Sequence, residues 1–167
     1  GVQAQDYTYT SNNGTVTITG HIGAGGAVTI PGTIDGLPVT SIGAYAFSQC
    51  NTVTSIRIPD SVTIPDRVTG IGPYAFYDCN HLTNVIFGSG LIHIGDSAFR
   101  ACTNLPSVTI GPGVTNIESL AFDSCLSLTK ICFLGNAPSV GNSVFSYAKI
   151  IYYFPETTGW GSTLGGW

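Results

Sequence analysis

Apolar positions in this chain recur neither every second residue nor every third or fourth over any long stretch, but at a spacing of 23. Phe47, Phe76, Phe99, Phe122 and Phe145 are separated by 29, 23, 23 and 23 residues. Cys50, Cys79, Cys102 and Cys125 keep those steps, as do Ile42, Ile71, Ile94 and Ile117, and Val53, Leu82, Leu105 and Leu128. The consensus is Ile-Gly-x-x-Ala-Phe-x-x-Cys-x-x-Leu-x-x-Val-x-Ile-Pro-x-x-Val-x-x. Within it, Val-x-Ile (Val85-Ile86-Phe87) alternates and predicts a short strand, closed by Pro or Gly as at Pro59, Gly88 and Gly111. Val-Thr-x-Ile-Gly (Val39 to Gly43) predicts a second extended side. Ala-Phe-x-x-Cys-x-x-Leu places apolar residues at intervals of three, which predicts one short helical turn facing inward. No unit can bury its own apolar face, so units must stack into a solenoid, with equivalent strands about 4.8 Å apart.

The irregular step has a visible origin. Residues 58–63 read IPDSVT and 64–69 read IPDRVT, a duplicated hexapeptide expected to bulge as a loop before the stack resumes at Ile71. Both ends depart from the consensus. Asn13-Gly14 between alternating runs predicts a β-hairpin, and Lys149 to Pro155 predicts a final strand with an aromatic tail through Trp160 and Trp167. One domain over 1–167 is expected: an N-terminal cap over 1–27, repeats over 28–145, and a C-terminal cap over 146–167.

These residues carry a family resemblance. Ile71-Gly72-Pro73-Tyr74-Ala75-Phe76-Tyr77-Asp78-Cys79 and the stretch Ile94 to Cys102 resemble the signature of the BspA-like leucine-rich repeats, a bacterial class of 23-residue units. GGAVTIPGTIDGLPVTSIG resembles the entry segment of such arrays, and FLGNAPSVGNSVF with YYFPETTGWGSTLGG the exit segment. The resemblance implies a right-handed leucine-rich-repeat solenoid of short strands and short helical turns, capped at both ends. It also implies a secreted or cell-surface protein that binds other proteins, matrix or cells. Two positions depart from the pattern: Glu118 stands where Gly follows Ile, and Ala148 stands where the last unit would carry Cys.

Composition narrows the function. Charged residues make up 8% of the chain, with five Lys and Arg and a net charge of −4. No basic face for nucleic acid can be assembled from so few cations. Uncharged stretches are interrupted by Gly, Pro and Thr, which argues against direct membrane insertion. The chain opens Gly1-Val2-Gln3-Ala4-Gln5 without Met, which reads either as the region following a removed signal peptide or as a trimmed start.

Candidate chemistry divides by row. The row Cys50, Cys79, Cys102, Cys125 runs in a line, whereas zinc needs thiolates converging on a point. Stacked Cβ atoms sit slightly too far apart for easy disulfides, so buried thiols are expected. Cys132 falls outside that row, in the outward row Thr29, Arg57, Ile86, Thr109, Cys132; it is either a linking thiol or an unreactive one shielded by the C-terminal cap. His81 and His93 fall in different rows and His21 lies in the N-terminal cap, so the three do not cluster and read as solvated. Asp60 and Asp66 read as turn formers, and Asp78, Asp96, Glu118 and Asp123 do not pair into an acid–base set. Gly23-Ala24-Gly25-Gly26 lacks the Lys-Ser/Thr of a phosphate loop. Asn13-Gly14-Thr15 fits an N-glycosylation acceptor and equally a hairpin turn. Tyr45 and Tyr74 share a row with Ser97 and Leu120, and Tyr77 lies between Ser48 and Arg100; these tyrosines are either binding anchors or packing along the convex edge.

The expected function is a non-enzymatic extracellular interaction or adhesion module. It would contact a protein or glycan through Arg57, Ile86, Thr109, Cys132, Tyr45, Tyr74 and Tyr77, with no catalytic residue, cofactor or metal. The alternative is a structural subunit that assembles with itself into a filament or layer.

Overall fold

A computed structural model describes residues 6–58 and 68–161. The first five residues, most of the duplicated hexapeptide (with Pro59, Asp60, Pro65 and Asp66) and the tail containing Trp167 lie outside the described residues. The strands are β1 (Tyr7–Asn12), β2 (Thr15–His21), β3 (Gly26–Thr29), β4 (Thr33–Ile34), β5 (Leu37–Ile42), β6 (Val53–Arg57), β7 (Gly70–Ile71), β8 (Asn84–Ile86), β9 (His93–Ile94), β10 (Ser107–Ile110), β11 (Asn116–Ile117), β12 (Lys130–Phe133), β13 (Ser139–Val140) and β14 (Ile150–Tyr153). One sheet runs β1-β2-β5-β7-β9-β11-β13, with β4 paired to β5; two further sheets run β3-β6-β8 and β10-β12-β14. From β5 onward the large sheet is parallel, each repeat adding one rung. No helix among the described residues is long and apolar enough to cross a membrane.

The register follows the repeat frame. Ser41, Gly70, His93, Asn116 and Ser139 pair in succession. On the opposite side Thr29, Arg57 and Ile86 pair, and so do Thr109, Cys132 and Tyr152. Alternation then sends Val28, Ile56, Val85, Val108 and Ile131 inward, where all are buried. The hairpin β1–β2 turns at Asn13 and Gly14, both at positive φ (49° and 78°). Two consecutive left-handed residues match the twist of a tight two-residue hairpin.

Phe47, Phe76, Phe99, Phe122 and Phe145 are fully buried and form a continuous column, with successive ring centroids 4.9, 4.8, 5.1 and 5.6 Å apart. The glycine after Ile42, Ile71 and Ile94 lets the turns approach one another: a Cβ on Gly95 would lie 2.8 Å from the carbonyl carbon of Gly72.

The segment expected to form a helical turn forms consecutive tight turns instead. Tyr45 and Gln49 (φ 58° and 57°), and their equivalents Tyr74 and Asp78, are left-handed, which interrupts any α-helical run. Backbone hydrogen bonding supplies the reason. Ser48 and Cys50 N–H groups donate within the turn, to Tyr45 and Phe47, whereas Tyr45, Phe47 and Gln49 donate to Pro73, Ala75 and Tyr77 of the next repeat. A lone helical turn would leave most of its terminal groups unpaired; the stacked turns pair them across repeats.

His21 also departs from expectation. It is not a solvated histidine, because its ring stacks on Phe47 at 5.1 Å and its N–H donates to Ala46 O. In the repeats that follow, this carbonyl position accepts from a Phe N–H, as Ala75 O does from Phe47. His21 therefore substitutes, in ring and backbone, for the Phe of a preceding repeat. Burial holds the imidazole below its ordinary range, opposed by the nearby Asp6 carboxylate. Tyr7, beside the same ring, is pushed up to about 12 by burial and by Asp6.

Two outcomes follow. Phe99→Ala should destabilise the protein by about 3–5 kcal/mol in denaturant unfolding, because both ring neighbours lose their contact. A loss below about 1 kcal/mol would show the column to be replaceable. For His21 the folded pKa lies below the unfolded value, so the unfolded chain binds the proton more readily. Stability should be full above about pH 7 and decline as pH falls through the unfolded value near 6.5. In thermal melts from about pH 7 to pH 5, His21→Phe should flatten this decline; an unaltered slope counts against the assignment.

Candidate interaction surface

The outward positions of the strand face are built by alternation on a parallel ladder, so their side chains stand in fixed rows. They are Ala27 and Thr29 on β3, Ser55 and Arg57 on β6, Asn84 and Ile86 on β8, Ser107 and Thr109 on β10, Lys130 and Cys132 on β12, and Ile150 and Tyr152 on β14. Arg57, Thr109 and Tyr152 are exposed, and Ile86 is 43% exposed. Cys132 is half-buried between Thr109 and Tyr152.

This face is interrupted at its middle. β8 and β10 lie side by side but belong to different sheets. Two residues account for the break. Pro106 has no N–H, so it cannot repeat the bond that Thr83 N–H makes to Thr54 O and that Thr129 N–H makes to Pro106 O. Phe87 places a bulky ring, edge-on to Phe99 at 5.6 Å, where the neighbouring rungs place Ile58 and Ile110. The result is a groove of about 240 Å³ lined by Asn84, Val85, Ile86, Phe87, Thr109, Gly111 and Leu134, the last 40% exposed. The repeat frame placed Ile86 and Thr109 on this face. It did not reveal the groove, although Pro106 in a position otherwise held by Thr was its signal.

Charge is distributed unevenly. Among the described residues the carboxylates lie off the strand face. Glu118 accepts the Asp96 N–H at 2.8 Å and lies 3.6 Å from His93 on the large sheet, which is how a side chain is accommodated where the other repeats keep glycine. Asp123 pairs with Arg100 at 3.1 Å in the turns. Burial pushes the Asp123 carboxyl up, but the Ser146 and Ser124 hydroxyls and the Arg100 guanidinium hold it below its ordinary range. Among the described residues no group of His, Cys, Asp and Glu could hold a metal ion.

The tyrosines come together elsewhere. Tyr45 and Tyr74 stack at 5.0 Å with planes 4° apart, and Tyr77 meets Tyr74 edge-on at 5.7 Å. Tyr45 is 60% exposed. They occupy the turn side, away from Ile86 and Thr109, so the expected contact residues divide between two surfaces.

The cysteine row is positioned by backbone carbonyls. Cys79, Cys102 and Cys125 are buried thiols donating to Phe47, Phe76 and Phe99 O at 3.0, 3.1 and 3.1 Å. The Cys125 and Cys79 thiols, then burial, push the Cys102 thiol well above its ordinary range. Cys50 is only half-buried, against the expectation of a uniformly buried row, because a hairpin and not a full repeat precedes its unit. Burial, then Cys79, raises its pKa. Under native thiol labelling followed by peptide mass spectrometry, Cys132 should react well before Cys79, Cys102 and Cys125; equal rates would contradict the buried row.

Comparison with known proteins places this geometry. The family model for the BspA-type leucine-rich repeat region matches residues 28–152 in six copies. Among solved structures, a leucine-rich cell surface protein from Faecalibacterium prausnitzii is 28% identical with a TM-score of 0.69, over 87% of this chain and 37% of that one. This chain therefore spans little more than a third of that protein. A T. pallidum leucine-rich repeat protein is 26% identical with a TM-score of 0.63, over 86% of this chain and 87% of that one. A leucine-rich repeat protein from Bacteroides capillosus is 27% identical with a TM-score of 0.64, over 92% and 97%. No curated protein matches significantly. The six matched repeats run through three quarters of the residues, and the chain belongs to the BspA-type leucine-rich repeat family.

Proposed function

We propose that this chain is a protein-interaction module of a secreted or cell-surface protein, acting by binding and not by catalysis, with adhesion as its setting. The carrying observation is the outward strand face: a ladder whose register holds Arg57, Ile86, Thr109 and Cys132 in rows, with an exposed isoleucine beside a groove. Solvent-exposed apolar side chains at the rim of a concavity are the usual anchors of protein contacts. The membership in a bacterial repeat family, and the cell-surface designation of the Faecalibacterium prausnitzii protein, support the location. Tyr45, Tyr74 and Tyr77 form a second aromatic surface that suits stacking against a flat ligand, including a glycan ring.

A second reading, self-assembly into a filament or layer, is favoured by one observation. β14 is the last strand of its sheet and exposes Ile150, Tyr152 and Tyr153, with Phe154 exposed just beyond it. Apolar edge strands invite pairing between chains.

The test is biolayer interferometry of the purified protein against a panel of purified extracellular proteins and glycans, with negative-stain microscopy alongside. A binding partner is expected, with Ile86→Asp weakening it about tenfold or more and Asn116→Asp, on the other sheet, leaving it unchanged. Ordered polymers with no partner on the panel would replace this reading with self-assembly.

A further inference from the structure

We propose that the groove between β8 and β10 receives an extended acidic segment of a protein partner, in which one apolar side chain is flanked two residues away on each side by carboxylates. This rests on the reading of the strand face as the contact surface, and specifies what it contacts.

Three observations carry it. First, the groove is lined mainly by apolar side chains, with Ile86 and Leu134 exposed at its rim and Phe87 at its base, and its volume of about 240 Å³ admits one aliphatic or aromatic side chain but not a folded element. Second, cations stand on both sides of it. Arg57 lies on β6, one rung before β8, and Lys130 on β12, one rung after β10; both are exposed and neither has an ion-pair partner among the described residues. Third, the chain as a whole is acidic, with nine Asp and Glu against five Lys and Arg, yet the strands of this face, β3, β6, β8, β10, β12 and β14, contain no carboxylate. A surface purged of acids and bracketed by bases attracts a partner of opposite sign and repels one of its own.

Spacing sets the pattern of the ligand. From β6 to β12 is three rungs, about 14 Å at the usual strand separation. An extended chain rises about 3.3 Å per residue, so four residues span about 13 Å. Alternate residues of an extended chain point the same way. A segment laid across the strands therefore presents its first, third and fifth side chains to the face: carboxylate to Arg57, apolar group to the groove, carboxylate to Lys130. Lys130 stands on the neighbouring outward row, and its long flexible stem covers the offset.

The experiment is fluorescence polarisation with labelled peptides on the whole chain. A peptide containing Glu-Thr-Leu-Thr-Glu is expected to bind. One with Lys replacing both Glu, and one rearranged to Glu-Glu-Leu-Thr-Thr, are expected to bind at least about fivefold more weakly. Arg57→Glu and Lys130→Glu should each weaken the first peptide about three- to tenfold and reduce its salt dependence. Ile86→Asp should remove binding. All three positions are exposed, and thermal melts matching the parent would show that the variants remain folded. Absence of binding up to about 1 mM, or affinity indifferent to both charge reversals, overturns the proposal. If a panel protein binds in an Ile86-dependent manner while the acidic peptide does not, the contact face stands and the acidic ligand falls. If panel binding ignores Ile86→Asp, both fall.

Discussion

Everything in this molecule depends on adjacent repeats keeping one register. A single repeat here is two short extended pieces joined by tight turns, with its backbone groups and its apolar side chains both facing along the stack. Neither set can be satisfied within the repeat. Rung-to-rung hydrogen bonds and the column of phenylalanines solve both problems at the same spacing, since stacked rings and paired strands each settle near 5 Å. A shift of one residue in any repeat would break the ring column, the thiol bonds to the Phe carbonyls and the close approach at Gly95 together.

That coupling explains which parts of the structure were legible beforehand. Periodicity read directly from Phe47 to Phe145 predicts which residues pair, because register in a stack is a property of spacing alone. The rows Arg57–Ile86 and Thr109–Cys132 follow from it. Local conformation was harder. Apolar residues at intervals of three suggested a helical turn, but the interval reports only which side chains face inward. It does not say where backbone N–H groups go, and the neighbouring repeat competes for them successfully. His21 escapes the periodicity for a related reason: it stands 26 residues before Phe47, outside the frame, and only the folded hairpin brings its ring into the column. The candidate site was half legible. Its residues came from the row, and its groove came from a defect in the row, Pro106 with Phe87.

Regularity and irregularity thus divide the work. Sites that obey the repeat, the Phe column and the Cys79–Cys102–Cys125 row, are invisible from outside and hold the stack together. Sites that break it differentiate one otherwise uniform surface from another. Glu118 in place of glycine joins Asp96 to His93's rung, and the missing N–H at Pro106 opens the strand face. A repeat protein can acquire a local surface of this kind by changing one residue in each of two adjacent repeats, without altering the frame that positions the rest.

The turns carry a further consequence through the sense of their hydrogen bonds. In the turn that carries each phenylalanine the crossing bonds point the same way, from an N–H to a carbonyl of the following repeat: Phe47 to Ala75, Phe76 to Ala98, Phe99 to Ala121, Phe122 to Val144. A parallel strand ladder exchanges bonds in both senses and nearly cancels, but this edge of the stack adds its peptide dipoles head to tail, as a helix does along its axis. That edge is therefore polar along the stack, and it is opposed at the end of the large sheet, where the Gly72, Gly95 and Glu118 N–H groups donate to Ile42, Ile71 and Ile94 of the preceding repeat. The hairpin meets both senses at once: its His21 N–H donates to Ala46 O on the first edge, and its Ile18 O accepts from Gly43 N–H on the second.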